Sequence, residues 1–202
     1  MKLYVFRHGT TDWNEAKRLQ GNSNTSLNDE GRRLATITAE AVKDIKFDYI
    51  FSSPLNRAYE TASIFAKGRD VPIVKDDRLI EVGFGVDEGV VPEKRTPGCI
   101  LFFKDPANYV PAEGAESFES LCSRTADFIE SVLVPLSIKE PDASVALFGH
   151  GAMNKALMKH LLHRELKNFW DGNWQYNCSM NLYEINGNQF ILLEDGKIFY
   201  EI

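Results

Sequence analysis

Apolar and polar positions fall in blocks whose period switches between strand-like and helical along the chain. Residues 2–6 are a short apolar run that breaks into Arg7-His8-Gly9, which predicts a buried strand delivering charged groups to a sheet edge. Leu34, Thr38, Ala41, Val42 and Ile45 then recur at helical spacing, with Asn28 or Ser26 as the cap. A second strand is predicted at 47–51, closed by Ser52-Ser53-Pro54, and Ala58, Ala62 and Phe65 mark the next helix. A short third strand follows at 71–74, where Pro72 favours an edge or a strand start. Phe118, Leu121, Cys122, Thr125, Ile129, Val132, Leu133 and Leu136 predict a long amphipathic helix, kinked or ended near Pro135. The opening arrangement then repeats: strand 144–148 breaks into Gly149-His150-Gly151, and Met153, Ala156, Leu157, His160 and Leu161 line a helix. Residues 180–193 read as a closing hairpin turned at Asn186-Gly187.

Strands alternating with helices predict one domain over residues 1–202, a three-layer α/β/α sandwich around a mostly parallel sheet. Between 81 and 116 the regular patterns stop, and a stretch rich in glycine and proline carries Phe84, Phe102, Phe103 and Tyr109. Such an insertion, at about 82–115, reads as a lid or binding loop. Its aromatics serve either as satellite core or as substrate contacts.

Composition narrows the partners. With 202 residues, 44% hydrophobic and 26% charged, the chain has the profile of a soluble globular protein with one sizeable core. A net charge of −6 without a basic tract argues against nucleic acid or an anionic membrane as the main partner. An anionic small molecule would need a local cluster of cations, because charges more than about 8–10 Å away are largely screened. No run approaches a bilayer span and no signal-peptide pattern opens the chain, so the expected location is cytoplasmic. Cys99, Cys122 and Cys178 are widely spaced and odd in number, which suggests reduced thiols. His160 and His163 share a helical face without acidic or cysteine partners nearby and read as structural or surface residues. The oligomeric state stays open, with a homodimer among the options.

Candidate chemistry gathers where strands end. In parallel sheets, ligands bind at the carboxyl ends of the strands, and Arg7-His8, Arg57 and His150 each lie at or just after such an end. Arg7 offers a planar fork of donors suited to a phosphoryl group, and Gly9 allows the backbone a close approach to a ligand.

The ordered set Arg7-His8-Gly9 with Thr11 and Asn14, Ser52-Ser53-Pro54 with Arg57 and Thr61-Ala62, Glu81 with Gly89, Gly114-Ala115-Glu116-Ser117, and Gly149-His150-Gly151 resembles the histidine phosphatase superfamily, the phosphoglycerate mutase-like proteins. The resemblance implies that His8 is the nucleophile, attacking phosphorus to leave a phosphohistidine, and that no metal or cofactor is needed. Arg7, Arg57 and His150 would surround the phosphoryl oxygens, with Thr11, Asn14, Gln20, Gly21 and a helix N-terminal amide at Gly151 completing the site. Glu81, with Glu88 as the alternative, would protonate the leaving group and later deprotonate water. Thr10, Asn24 and Asp87 depart from the family's usual residues and leave the subfamily open. The implied activity is a metal-independent phosphatase for a small phosphorylated metabolite. The alternatives are mutase-type transfer, disfavoured because Lys94-Arg95 is the only basic pair in the insertion, and a phospholigand-binding or phosphoprotein-regulating module.

Overall fold

A computed structural model describes residues 1–201. Six strands form one sheet: β1 (Lys2–Arg7), β2 (Tyr49–Ser52), β3 (Ile73–Lys75), β4 (Ser144–Gly149), β5 (Met180–Asn186) and β6 (Gln189–Lys197), in spatial order β3-β2-β4-β1-β5-β6. The first four of that order run parallel, and β5 and β6 add an antiparallel hairpin. Because Arg7 pairs with Gly149 and Ser52 with Phe148, β1, β2 and β4 end at one level. That level is where the site forms.

The unbroken apolar runs of β1 and β4 reflect cover on both faces. Leu3, Val5, Val145 and Leu147 enter one core with residues of α5 (Phe118–Phe128) and α7 (Gly151–Leu161). Tyr4, Phe6, Ala146 and Phe148 enter the other with residues of α2 (Asp29–Ala41) and α3 (Asn56–Ala66). The alternation therefore places one helical layer on each side of the sheet, as the pattern predicted.

Several boundaries move. The helix capped by Asn28, whose side chain accepts the Gly31 amide at 2.9 Å, stops at Ala41 before Ile45. Phe47 is no strand residue but packs edge-on against Tyr4, and Asp48 accepts the Ser144 amide at 3.0 Å. Pro135 does not end its helix: a π-helical turn, Ile129–Leu133, precedes α6 (Val134–Lys139). The wider turn lies where the proline ring would otherwise meet the carbonyl one turn back. In the closing hairpin Asn186 pairs with Gln189, so the turn is Gly187-Asn188, one residue later than expected, with Gly187 at φ +55°. β6 also runs four residues past 193, because backbone pairing with β5 continues where the side chains have turned polar.

The stretch expected to be irregular contains α4 (Pro97–Lys104), which starts like many helices: Thr96 caps it, accepting the Cys99 amide at 3.2 Å, and Pro97 opens it. Asp87, which departs from the family pattern, is buried and holds that cap, accepting from the Thr96 amide at 2.7 Å and hydroxyl at 2.6 Å. Phe102 is fully buried among the rings of Phe84, Tyr109, Phe118 and Trp170. The insertion is anchored in the core.

Candidate active site

At the carboxyl end of β1, His8 is almost fully buried and its Nδ1 lies 2.7 Å from the Gly9 carbonyl oxygen. A carbonyl only accepts, so Nδ1 carries the hydrogen and Nε2 keeps its lone pair. Burial, then the charges of Arg57 and Arg7, hold the His8 imidazole well below its ordinary pKa of 6.5, against the opposing pull of the Gly9 bond. The ring is neutral at physiological pH. Gly9 itself approaches another part of the chain: a Cβ there would lie 2.6 Å from the Gly31 carbonyl oxygen. Its smallness serves the packing of the β1 turn on α2, which corrects the expectation of a close approach to ligand.

Arg57, fully buried on the first turn of α3, points its Nε at His8 Nε2 from 3.3 Å. Its terminal nitrogens donate to the carbonyls of Ser23 (2.8 Å) and Gly21 (2.7 Å). Burial pushes its pKa down to about 10, which leaves it charged at neutrality. The loop that orients it is held by Glu88, which accepts the amides of Asn22, Ser23 and Phe84 at 3.0–3.1 Å. Glu88 is thus occupied as a loop brace and does not line the cavity, whereas Glu81 does.

The Glu81 carboxylate sits on the N-terminus of α7, accepting the amides of Ala152 (3.1 Å) and Met153 (2.9 Å), and also that of Val82 (3.0 Å). Gly151, whose amide is expected to face phosphate, precedes these two amides and lines the cavity together with Ala152. His150 stands beside His8 with ring centroids 5.2 Å apart, fully buried and behind the cavity surface. Its Nε2 is 2.8 Å from Ser53 Oγ, which already accepts the Leu55 amide at 3.3 Å. The serine oxygen has a second lone pair, so this contact forms with either tautomer, and Nδ1 of His150 has no hydrogen-bond partner among the described residues. Burial, with Arg57 next, keeps this ring neutral as well.

Arg7 donates to the Gln175 carbonyl at 2.6 Å, and its buried Nε has no partner. Asn14 spends its carbonyl oxygen on the Thr11 amide (3.1 Å) and hydroxyl (3.2 Å), and Gln20 spends its own on the hydroxyls of Thr11 (3.0 Å) and Thr25 (2.5 Å). Both therefore present NH2 groups to the cavity they line. Thr11 is fully buried and stays out of the wall, capping the short helix α1 (Asp12–Glu15). It positions Asn14 and Gln20 from behind the wall.

The cavity so formed has a volume of about 400 Å³. Five cations line it (Arg7, Lys17, Arg18, Arg57 and Arg95) against one carboxylate, Glu81, which is the local cluster an anionic ligand needs in an acidic chain. Leu19, Phe84, Pro92, Phe103, Trp170 and Trp174 complete the wall. A larger depression of about 630 Å³ near Asp48 and Ser144 lies at the amino ends of the strands and gathers no such cluster. Lys17, Arg18, Trp170, Trp174 and the buried Lys155 escaped the sequence reading, since none sits in a recognisable pattern. Lys155 donates to the carbonyls of Asp171 (2.8 Å) and Asn173 (3.2 Å), tying down the segment that carries Trp174 and Gln175. Among the described residues no group of three His, Cys, Asp or Glu side chains could hold a metal, and none of their helices is long and apolar enough to cross a membrane.

The profile of the histidine phosphatase superfamily, branch 1, matches residues 3–196, and the chain belongs to that family. It is 28% identical to phosphoserine phosphatase 1 of Hydrogenobacter thermophilus over 92% of this chain and 85% of that one. It is 38% identical to the probable phosphoglycerate mutase GpmB of Yersinia pestis over 80% of this chain and 75% of the relative. The solved structure of Bacillus stearothermophilus YhfR superposes with a TM-score of 0.88 at 29% identity, covering 98% of this chain and 97% of that one. The three-layer, phosphoglycerate mutase-like fold is thereby shared.

Proposed function

We propose that the chain hydrolyses phosphomonoesters of small metabolites through a phosphohistidine on His8. One observation carries this: Nδ1 of His8 is bonded to the Gly9 carbonyl, so an unprotonated Nε2 faces Arg57 at the floor of a cationic cavity. Nε2 attacks phosphorus, the N–P bond forms and the P–O bond to the leaving group breaks, while Glu81 gives that oxygen its proton. Arg7, Arg57 and the unpartnered Nδ1 of His150 surround the phosphoryl oxygens, the arginines stabilising their charge, with the NH2 groups of Asn14 and Gln20 beside them. Water then attacks the phosphohistidine, Glu81 takes the proton from the water, and the N–P bond breaks to release phosphate and neutral His8. The reading spans one domain, in which residues 82–115 form a wall of the site.

Likeness to a probable mutase supports a second reading, transfer of the phosphoryl group to another hydroxyl of the substrate. The phosphatase is preferred because the family profile and a relative covering most of the chain carry that activity in their names. Rapid-quench labelling with a radioactive phosphomonoester tests both. Acid-labile label on the wild type and none on His8→Ala is the expected result. Full activity of His8→Ala would overturn the covalent route, and isomerisation of 3-phosphoglycerate faster than phosphate release would favour the mutase.

A further inference from the structure

The phosphoryl cage occupies only one end of the cavity, whose volume of about 400 Å³ is that of a site for a larger molecule. The remaining wall carries four aromatic rings, Phe84, Phe103, Trp170 and Trp174, among Lys17, Arg18, Leu19, Pro92 and Arg95. Phe103 stacks on Phe84 (6.0 Å, 21°) and on Trp170 (5.4 Å, 26°), so three rings form one aromatic block at the cavity wall. The Arg95 guanidinium lies over the Phe103 ring, 5.2 Å from its centroid, and adds a cation to this block.

Two features of this wall are unexplained by folding. Trp174 is 69% exposed and Phe103 37% exposed, although both belong to residue types that gain most from burial. Arg95 has no carboxylate within ion-pair distance among the described residues, and its buried Nε lacks a partner. The chemistry of this half is also selective in what it lacks: among the described residues, beyond Asn14 and Gln20 beside the phosphoryl cage, no Asn, Gln, Ser or Thr lines the cavity to receive a polyol. Among the described residues the cavity has one acid, Glu81, against five cations, which disfavours an additional ammonium on the substrate. Flat apolar faces and an unpaired guanidinium suit a π-system.

We propose that the preferred substrates are phosphomonoesters whose leaving group carries a planar aromatic or heteroaromatic ring, stacked on the exposed indole of Trp174 with Phe103 and Arg95 lining the same cavity. The proposal rests on the phosphatase reading and deepens it. The ring leaves with the alcohol after protonation by Glu81, so stacking acts on the first half-reaction alone. Hydrolysis of the phosphohistidine is common to all substrates.

The test compares kcat/KM for benzyl, cyclohexylmethyl and ethyl phosphate, three esters of primary alcohols that differ in ring planarity and size. Benzyl phosphate is expected to exceed both others by about tenfold, the scale of one good stacking contact. In Trp174→Ala the benzyl-to-ethyl ratio should fall to about one third or less of its wild-type value, and Trp174→Phe should restore most of it. Phe103→Leu provides the same ratio should Trp174→Ala fail to fold. Equal kcat/KM for benzyl and cyclohexylmethyl phosphate, or a ratio unmoved by both substitutions, would overturn the ring proposal while leaving the phosphatase intact. Failure of the wild type to cleave all three esters would overturn the phosphatase reading and this inference with it.

Discussion

Arg57 Nε lies 3.3 Å from His8 Nε2, so the guanidinium and the imidazole lone pair share the position where phosphorus must arrive. The two residues are 49 apart in sequence and meet because α3 begins just beyond the end of β2, at the level where β1 also ends. Burial first, and then this contact, keeps the imidazole neutral, and the contact places a fixed positive charge beside Nε2.

Arg57→Lys should therefore fail as a conservative replacement. The guanidinium is oriented by the carbonyls of Gly21 and Ser23 while a third direction serves His8, and a single ammonium cannot span these. A loss of about 10²–10³ in kcat is expected, the usual cost of one charge-stabilising donor. Steady-state kinetics with correct folding verified by circular dichroism checks it.

Replacing Glu81 by Gln should separate the two half-reactions. With 4-nitrophenyl phosphate the leaving group needs no proton, so phosphohistidine forms but water attack loses its base. A burst of nitrophenol followed by a steady state slowed by about 10²–10⁴ is expected in stopped-flow traces. Inhibition by inorganic phosphate should change little, because Arg7 and Arg57 remain.

Stability should fall in mild acid. Burial first, then nearby arginines, hold His8 and His150 well below 6.5, so under that pH the unfolded chain binds protons that the folded chain refuses. Each ring then removes up to about 1.4 kcal/mol of stability per pH unit as pH drops from 6.5 toward its folded value, and contributes nothing above that window. Urea titrations between pH 7.5 and about 5.5, above the range of ordinary carboxylates, should show the loss, and His150→Asn should remove part of the slope.

Lys155→Met keeps the apolar stem and deletes the ammonium that binds the Asp171 and Asn173 carbonyls. Those oxygens lose a buried donor, which costs about 1–3 kcal/mol. Because the same segment supplies the Gln175 carbonyl to Arg7, KM should rise more than kcat falls. Parallel denaturation and kinetic measurements read both effects.

The sequence was most informative where a residue's role depends on its immediate neighbours. Strand ends at Arg7-His8 and His150, the Asn28 cap and the two-sided burial of β1 and β4 follow from local periodicity, and the structure places them as expected. Helix α4 was legible in Thr96-Pro97 but was hidden by the glycine- and proline-rich stretch around it. The hairpin turn slipped by one residue because both Asn186-Gly187 and Gly187-Asn188 satisfy the same local preference.

From sequence alone came the layered α/β architecture, the family resemblance and the set His8, Arg7, Arg57, His150 and Glu81. Hydrophobic period, caps and short motifs are properties of one segment at a time. Only the tertiary structure distinguished Glu81 in the cavity from Glu88 in the loop, gave Thr11 a capping role and Gly9 a packing role, and brought Phe103, Trp170 and Trp174 to one cavity. Those outcomes depend on which loops the crossover connections carry to the same end of the sheet. No pattern within a single segment records that meeting.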